Sequence, residues 1–183
     1  MSTTGLKKTP QNDPSGSFPQ VFNGGYELDE LYWFIERKPH TETRENVYVM
    51  TMVSREPRRI VGFEVQQDKS AIHIQNIVDS APWAKEYCTD GYVGYLDVIF
   101  PGKHVRNIRD KSDTHNVESI NADLRHYIPV LARRSRCFCR KLETLQAVVE
   151  VFTQAYNRFG AAKYKYRLTR QTGEIPFAVV DFL

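Results

Sequence analysis

The stretch Tyr26–Glu36, YELDELYWFIE, constrains the fold more than any other part of the chain. It is mostly apolar or aromatic with no helical period, as expected of a strand buried on both faces. Leu28, Tyr32 and Phe34 then point one way and Leu31, Trp33 and Ile35 the other. Two adjacent carboxylates, Asp29 and Glu30, interrupt the run. A buried, ionised carboxylate is costly unless it is paired, protonated or given a cation. Asp29 is therefore the first candidate ligand of a metal site, to be completed by acids elsewhere. Alternation does not separate Asp29 from Glu30, because both strand faces are apolar.

The chain has 183 residues, 41% of them hydrophobic, which suits one domain with tails and a substantial core. No apolar run is long enough to span a bilayer, and the N-terminus lacks a signal-peptide pattern. Three cysteines, an odd number, fit free thiols in a reducing cytoplasm better than a disulfide framework. The net charge of +3 hides an asymmetry: residues 1–100 carry 10 Lys+Arg against 14 Asp+Glu, and residues 101–183 carry 15 against 8. A basic second half points to a polyanionic partner.

Residues 1–25 are rich in Ser, Thr, Pro, Gly and Asn and read as a leader or linker. Strands are expected at 26–36, 46–54 and 59–66, separated by short polar turns, which makes an antiparallel meander. Ala71, Ile74, Ile77 and Val78 recur at helical spacing over 68–80, with Asp68 or Ser70 as N-cap. A short strand over 85–89 runs into Asp90-Gly91, and a carboxylate at a strand end is where α/β sheets place their sites. A helical turn over 92–98 and a further strand at 103–107 follow. The clearest helix covers 112–134, with Val117, Ile120, Leu124, Ile128 and Leu131 as its apolar stripe. Glu118 lies at the stripe's edge, and Asn121, Ala122 and Arg125 share its face. Pro129 is expected to kink or divide this helix. A basic connection, Arg133, Arg134, Arg136, Arg140 and Lys141, leads to an amphipathic helix over 141–159. Residues 160–183 form a basic, aromatic tail that ends apolar.

Strand–strand–strand–helix–strand followed by helices, with acids on the first strand, at the end of the fourth and on a later helix, is the order of a ribonuclease H-like α/β fold: a mixed sheet flanked by helices. Three blocks carry a closer resemblance: LDELYWFI at Leu28–Ile35, CTDGY at Cys88–Tyr92, and HNVESINADLRHYIPVLARRSRCFCRKLETL from His115 to Leu145. In these the chain resembles transposases of the insertion-sequence-one type over roughly Leu28–Phe159, a domain that takes in residues 26–159. The resemblance implies a DDE triad of Asp29, Asp90 and Glu118. It makes Asn121 a contact to DNA or to the triad, with Arg125 beside it and Arg133, Arg134, Arg136, Arg140 and Lys141 as further DNA contacts.

Three carboxylates suit two Mg or Mn ions about 4 Å apart, which clamp the attacking and leaving oxygens of a phosphodiester displacement. The resemblance implies DNA strand cleavage at element ends followed by strand transfer into target DNA. It further implies a homo-oligomer on DNA, a cytoplasmic, nucleoid-associated location, and no membrane. Before Tyr26 there is neither zinc-ligand spacing nor a helix-turn-helix pattern, so an N-terminal DNA-binding partner or a fused upstream reading frame is expected. The rival readings are an inactive DNA-binding remnant of such an enzyme and a ribonuclease H-like nuclease without strand transfer. Cys137 and Cys139, one residue apart, lack the spacing of a structural zinc site.

Overall fold

The computed structural model describes residues 22–36, 44–107, 112–132 and 139–172. Five strands, β1 (Phe22–Glu36), β2 (Arg44–Ser54), β3 (Arg59–Gln66), β4 (Ala84–Thr89) and β5 (Lys103–Arg106), form one mixed sheet in the order β3-β2-β1-β4-β5. Three helices flank it: α1 (Ala71–Asp79), α2 (His115–Tyr127) and α3 (Leu142–Thr172). The expected meander is present, since β1 pairs antiparallel with β2 and β2 with β3. β4 lies parallel to β1 and to β5, so the chain crosses over after β3 by way of α1.

The double-sided apolar pattern of β1 has its cause in this topology. Leu31 and Ile35 join Val47, Val49 and Val53 of β2 and Val65 of β3 in a core covered by Val117, Ile120 and Leu124 of α2 and Leu145 and Val149 of α3. Tyr26 and Leu28 face the opposite core, with Met50, Met52, Tyr87 and the α1 residues Ile74, Ile77 and Val78. Each side of the sheet is thus sealed by helices, and a central strand must be apolar on both faces.

Several element bounds differ from the sequence expectation. β1 begins at Phe22, not Tyr26, because Phe22–Glu27 pairs with β4 and the Phe22 ring stacks on Tyr26 at 5.2 Å. The helix expected over 112–134 is α2 alone; Pro129, which has no N–H to donate, starts a separate 3-10 turn, Pro129–Leu131. α3 continues through Gly160 to Thr172, where a tail was expected. Residues 161–171, AAKYKYRLTRQ, are mostly strong helix formers, and one Gly costs a helix only about 1 kcal/mol. The leader over 1–21, the apolar end 173–183 and the central part of the basic connection lie outside the described residues. No helix among the described residues is long and apolar enough to cross a membrane.

Candidate functional site

Asp29 lies near the middle of β1, opposite Thr51 of β2. Its Oδ2 accepts a hydrogen bond from Asn121 Nδ2 at 2.8 Å, and Asn121 Oδ1 accepts one from Thr51 Oγ1 at 3.2 Å. Thr51 therefore fixes which end of the Asn121 amide meets the carboxylate. Thr51 and Asn121 are buried and Asp29 partly so, and this chain of bonds ties β2, α2 and β1 together. Burial pushes the Asp29 carboxyl up to about 6. The Glu30 backbone and Asn121 hydrogen bonds oppose the rise, while the charges of Glu30 and Asp90 add to it. Desolvation disfavours the charged form of a carboxylate and so accounts for the direction of the shift.

Glu30 goes the other way. Its Oε2 pairs with Lys69 Nζ at 3.2 Å, and Lys69 lies 3.6 Å from the centre of the Tyr92 ring. The buried Tyr95 hydroxyl is held well above its usual range by burial and then by the Glu30 charge. The side chains of the two adjacent acids thus take different partners, Asp29 on α2 and Glu30 on Lys69 ahead of α1, although both residues border the same cleft.

Asp90 follows the last residue of β4. The last β1–β4 pair is Glu27 with Cys88, and Asp29 and Asp90 each follow two residues on, close enough for the Asp90 charge to act on Asp29. Asp90 Oδ1 accepts the Tyr92 N–H at 2.8 Å, which closes the turn after the strand. Arg106 of β5 donates to the Gly91 carbonyl and holds the same turn from the far side. Glu118 stands in the first turn of α2. With Asn121, Ala122 and Arg125 it lines a cleft of about 490 Å³ whose other wall is Asp29, Glu30 and Leu31. The spacing Glu118, Asn121, Ala122, Arg125 is that of one helix face, as expected.

The structure therefore brings Asp29, Glu118, Asn121 and Arg125 to one cleft. Asp90 stands beside Asp29, within reach of its charge, but does not line the cleft wall. Among the described residues no three His, Cys, Asp or Glu side chains converge closely enough to form a ready-made metal cage. Arg140 and Lys141 are exposed ahead of α3 and do not line the cleft, and Arg133, Arg134 and Arg136 lie outside the described residues. No protein-family model matches the chain, and no curated protein matches it.

Sequence reading passed over Glu27, a fully buried carboxylate of β1. Its Oε2 accepts the backbone N–H groups of Asn116 at 2.8 Å and Val117 at 3.0 Å. Its Oε1 accepts Asn116 Nδ2 at 2.8 Å and Arg55 Nε at 3.0 Å. The available signal was parity: Glu27 shares the Asp29 face of the strand. Cys88 is part of the same neighbourhood, 3.2 Å from Arg55 Nη2, and burial pushes its thiol up to about 12. Burial thus favours the neutral thiol over the thiolate, which is the nucleophilic form.

Proposed function

We propose that this chain is the catalytic domain of a DDE transposase of the insertion-sequence-one type, with a ribonuclease H-like fold. It would cleave DNA strands at element ends and join them to target DNA. The observation that carries this reading is the Asp29–Asn121 hydrogen bond. It couples the acid of the central strand to the helix that presents Glu118 three residues earlier, across a cleft open to a substrate. The strand order β3-β2-β1-β4-β5, with β4 and β5 parallel to β1, supports the fold, and the nearness of the Asp90 charge to Asp29 supports the triad.

The donor set fits a hard divalent cation. All the candidate ligands are carboxylate oxygens, and Mg²⁺ keeps several waters and needs only one or two carboxylates plus substrate phosphate. A closed protein cage is therefore not required before substrate arrives. Asp29, Asp90 and Glu118 would hold two Mg or Mn ions, which when bound activate the attacking oxygen and stabilise the leaving one. The protein's own contribution is positional. Asn121 keeps Asp29 Oδ2 oriented, Thr51 keeps Asn121 from flipping, and the turn closed by Tyr92 and Arg106 fixes Asp90 at the strand end. Arg125, one turn beyond Asn121 on the cleft face, is in place to meet a phosphate. The excess of basic residues after residue 100 supports a DNA partner.

The test is Mg- or Mn-dependent nicking of labelled duplex DNA by the purified chain beside Asp90→Asn and Glu118→Gln. Cleavage that requires metal and disappears in both variants is the expected result. Equal activity in all three would refute the assignment of the site. Neither cleavage nor metal binding by the wild type would favour an inactive DNA-binding remnant.

A further inference from the structure

Helix α2 has an unusual start. The first N–H groups of any helix have no partner within it and are commonly satisfied by the residue just before. Here that residue, Thr114, makes no side-chain cap hydrogen bond. The cap comes from Glu27, 89 residues earlier and two residues before Asp29 on the same face of β1. Its carboxylate accepts both Asn116 and Val117 N–H groups from within a fully buried position, where the positive end of the helix dipole favours it. Arg55 then ties Glu27 to its surroundings. Its guanidinium reaches Glu27 at 3.0 Å, Glu86 of β4 at 3.4 Å, and the Asp113 carbonyl, just before α2, at 3.1 Å. One ionic node thus touches the three elements that carry Asp29, Asp90 and Glu118.

We propose that Glu27 is a positioning residue, which sets where α2 begins against β1 and so holds Glu118 and Asn121 opposite Asp29. The metal-related part of this proposal rests on the reading of the cleft as a metal site; the placement of Asn121 does not. Glu118 follows Val117 directly and Asn121 comes one turn later, so little helix lies between the anchor and the groups it positions. Thr51 and Asn121 secure the helix at a second point. Two anchors fix both its position along β1 and its rotation about its own axis.

The experiment compares the full chain with Glu27→Gln and Glu27→Asp. Gln keeps the shape but turns an NH₂ group towards donors; Asp keeps the charge but loses reach. Two readouts are taken well below the unfolding temperature: the NMR position of the Asn121 side-chain amide in chelator, and Mn²⁺ affinity by electron paramagnetic resonance. Both variants should move the Asn121 resonance. Mn²⁺ affinity should fall about 10-fold or more, the usual scale for a group that orients metal ligands. A merely structural role would lower the unfolding temperature yet leave both readouts of the folded molecules unchanged, and that result would overturn the proposal. Glu118→Gln separates the two readings. It should weaken Mn²⁺ binding while leaving Asn116 and Val117 amide exchange as in wild type. If the wild type binds no Mn²⁺, the metal reading fails and the Asn121 resonance alone decides the role of Glu27. Should neither Glu27 variant fold, Asn116→Ala, which removes only the side-chain donor, carries the same expectation at smaller size.

Discussion

Replacing Asp29 by Asn should stabilise the metal-free protein while destroying the site. The fold holds the Asp29 carboxyl at about 6 against an ordinary 3.8, with burial as the main cause. A raised carboxyl pKa means the folded state prefers the protonated form. The associated penalty is absent below the ordinary value, grows as pH rises, and is complete once pH passes the folded value. At about 1.4 kcal/mol per pKa unit the full penalty is about 3 kcal/mol, and about 2 kcal/mol once the partial exposure of Asp29 is allowed for. Asn keeps an oxygen for the Asn121 amide and carries no charge to desolvate. In urea titrations with chelator at pH 7.5, Asp29→Asn should therefore be more stable than wild type by about 2 kcal/mol, or about 4–8 °C in Tm for a chain of this size. At pH 4 the advantage should shrink to well under about 1 kcal/mol, because by then the folded wild-type carboxyl is protonated. Saturating Mg²⁺ should restore the wild type and do nothing for the variant. A variant that is less stable at pH 7.5, or an advantage of equal size at both pH values, would refute the reading that desolvation of the Asp29 carboxylate costs stability.

Other perturbations follow from the same geometry. Asn121→Leu leaves the buried Thr51 hydroxyl without its Asn121 acceptor and Asp29 without its side-chain donor; urea unfolding should show a loss of about 1–3 kcal/mol. The same change should move the Asp29 titration, followed by carboxyl NMR, above about 6, because the Asn121 bond lowers it in the wild type. Glu118→Gln, in a partly exposed first turn, should abolish metal-dependent DNA cleavage with a stability change within about 0.5 kcal/mol. Gly102→Ala places a Cβ against the Ala84 and Lys85 carbonyls, forces β5 away from β4, and should cost at least about 1–3 kcal/mol in thermal or urea unfolding. DNA binding measured by fluorescence anisotropy should be largely sequence-independent and weaken linearly on a log–log plot against salt; a salt-insensitive affinity would rule out phosphate contacts as its source.

Much of the fold was legible because its signals are local. The apolar run of Tyr26–Glu36 marked a central strand, the turns after β1 and β2 fit a meander, and Pro129 marked the end of α2. The shared face of Glu118, Asn121 and Arg125 was legible for the same reason, since helical spacing alone puts them together. The separation of Asp29 from Glu30 was not. Parity says that neighbours point to opposite faces, but not which face receives α2; that depends on where the chain crosses after β4 and β5. Parity put Glu27 on the Asp29 face, but its capping role was illegible for a related reason. Its partners are backbone N–H groups 89 residues away, which no side-chain pattern advertises. The length of α3 was missed because a basic, aromatic segment was weighed by its charge and not by its helix propensity.

One consequence of the strand pairing concerns the surroundings of Asp29. β2 accompanies β1 all the way from Tyr26 to Glu36, whereas the pairing with β4 ends at Glu27. Within one strand the backbone passes from the interior of the sheet to a margin, and Asp29 stands just past that transition. The sheet forks there, with β1 and β2 continuing as a hairpin and β4 turning off at Asp90. On the β4 side of the hairpin no strand among the described residues pairs with Leu28–Glu36. The strand that carries Asp29 is thus stiffened by β2 along one edge only, so its position beyond Glu27 depends on the helix packed over it more than on the rest of the sheet.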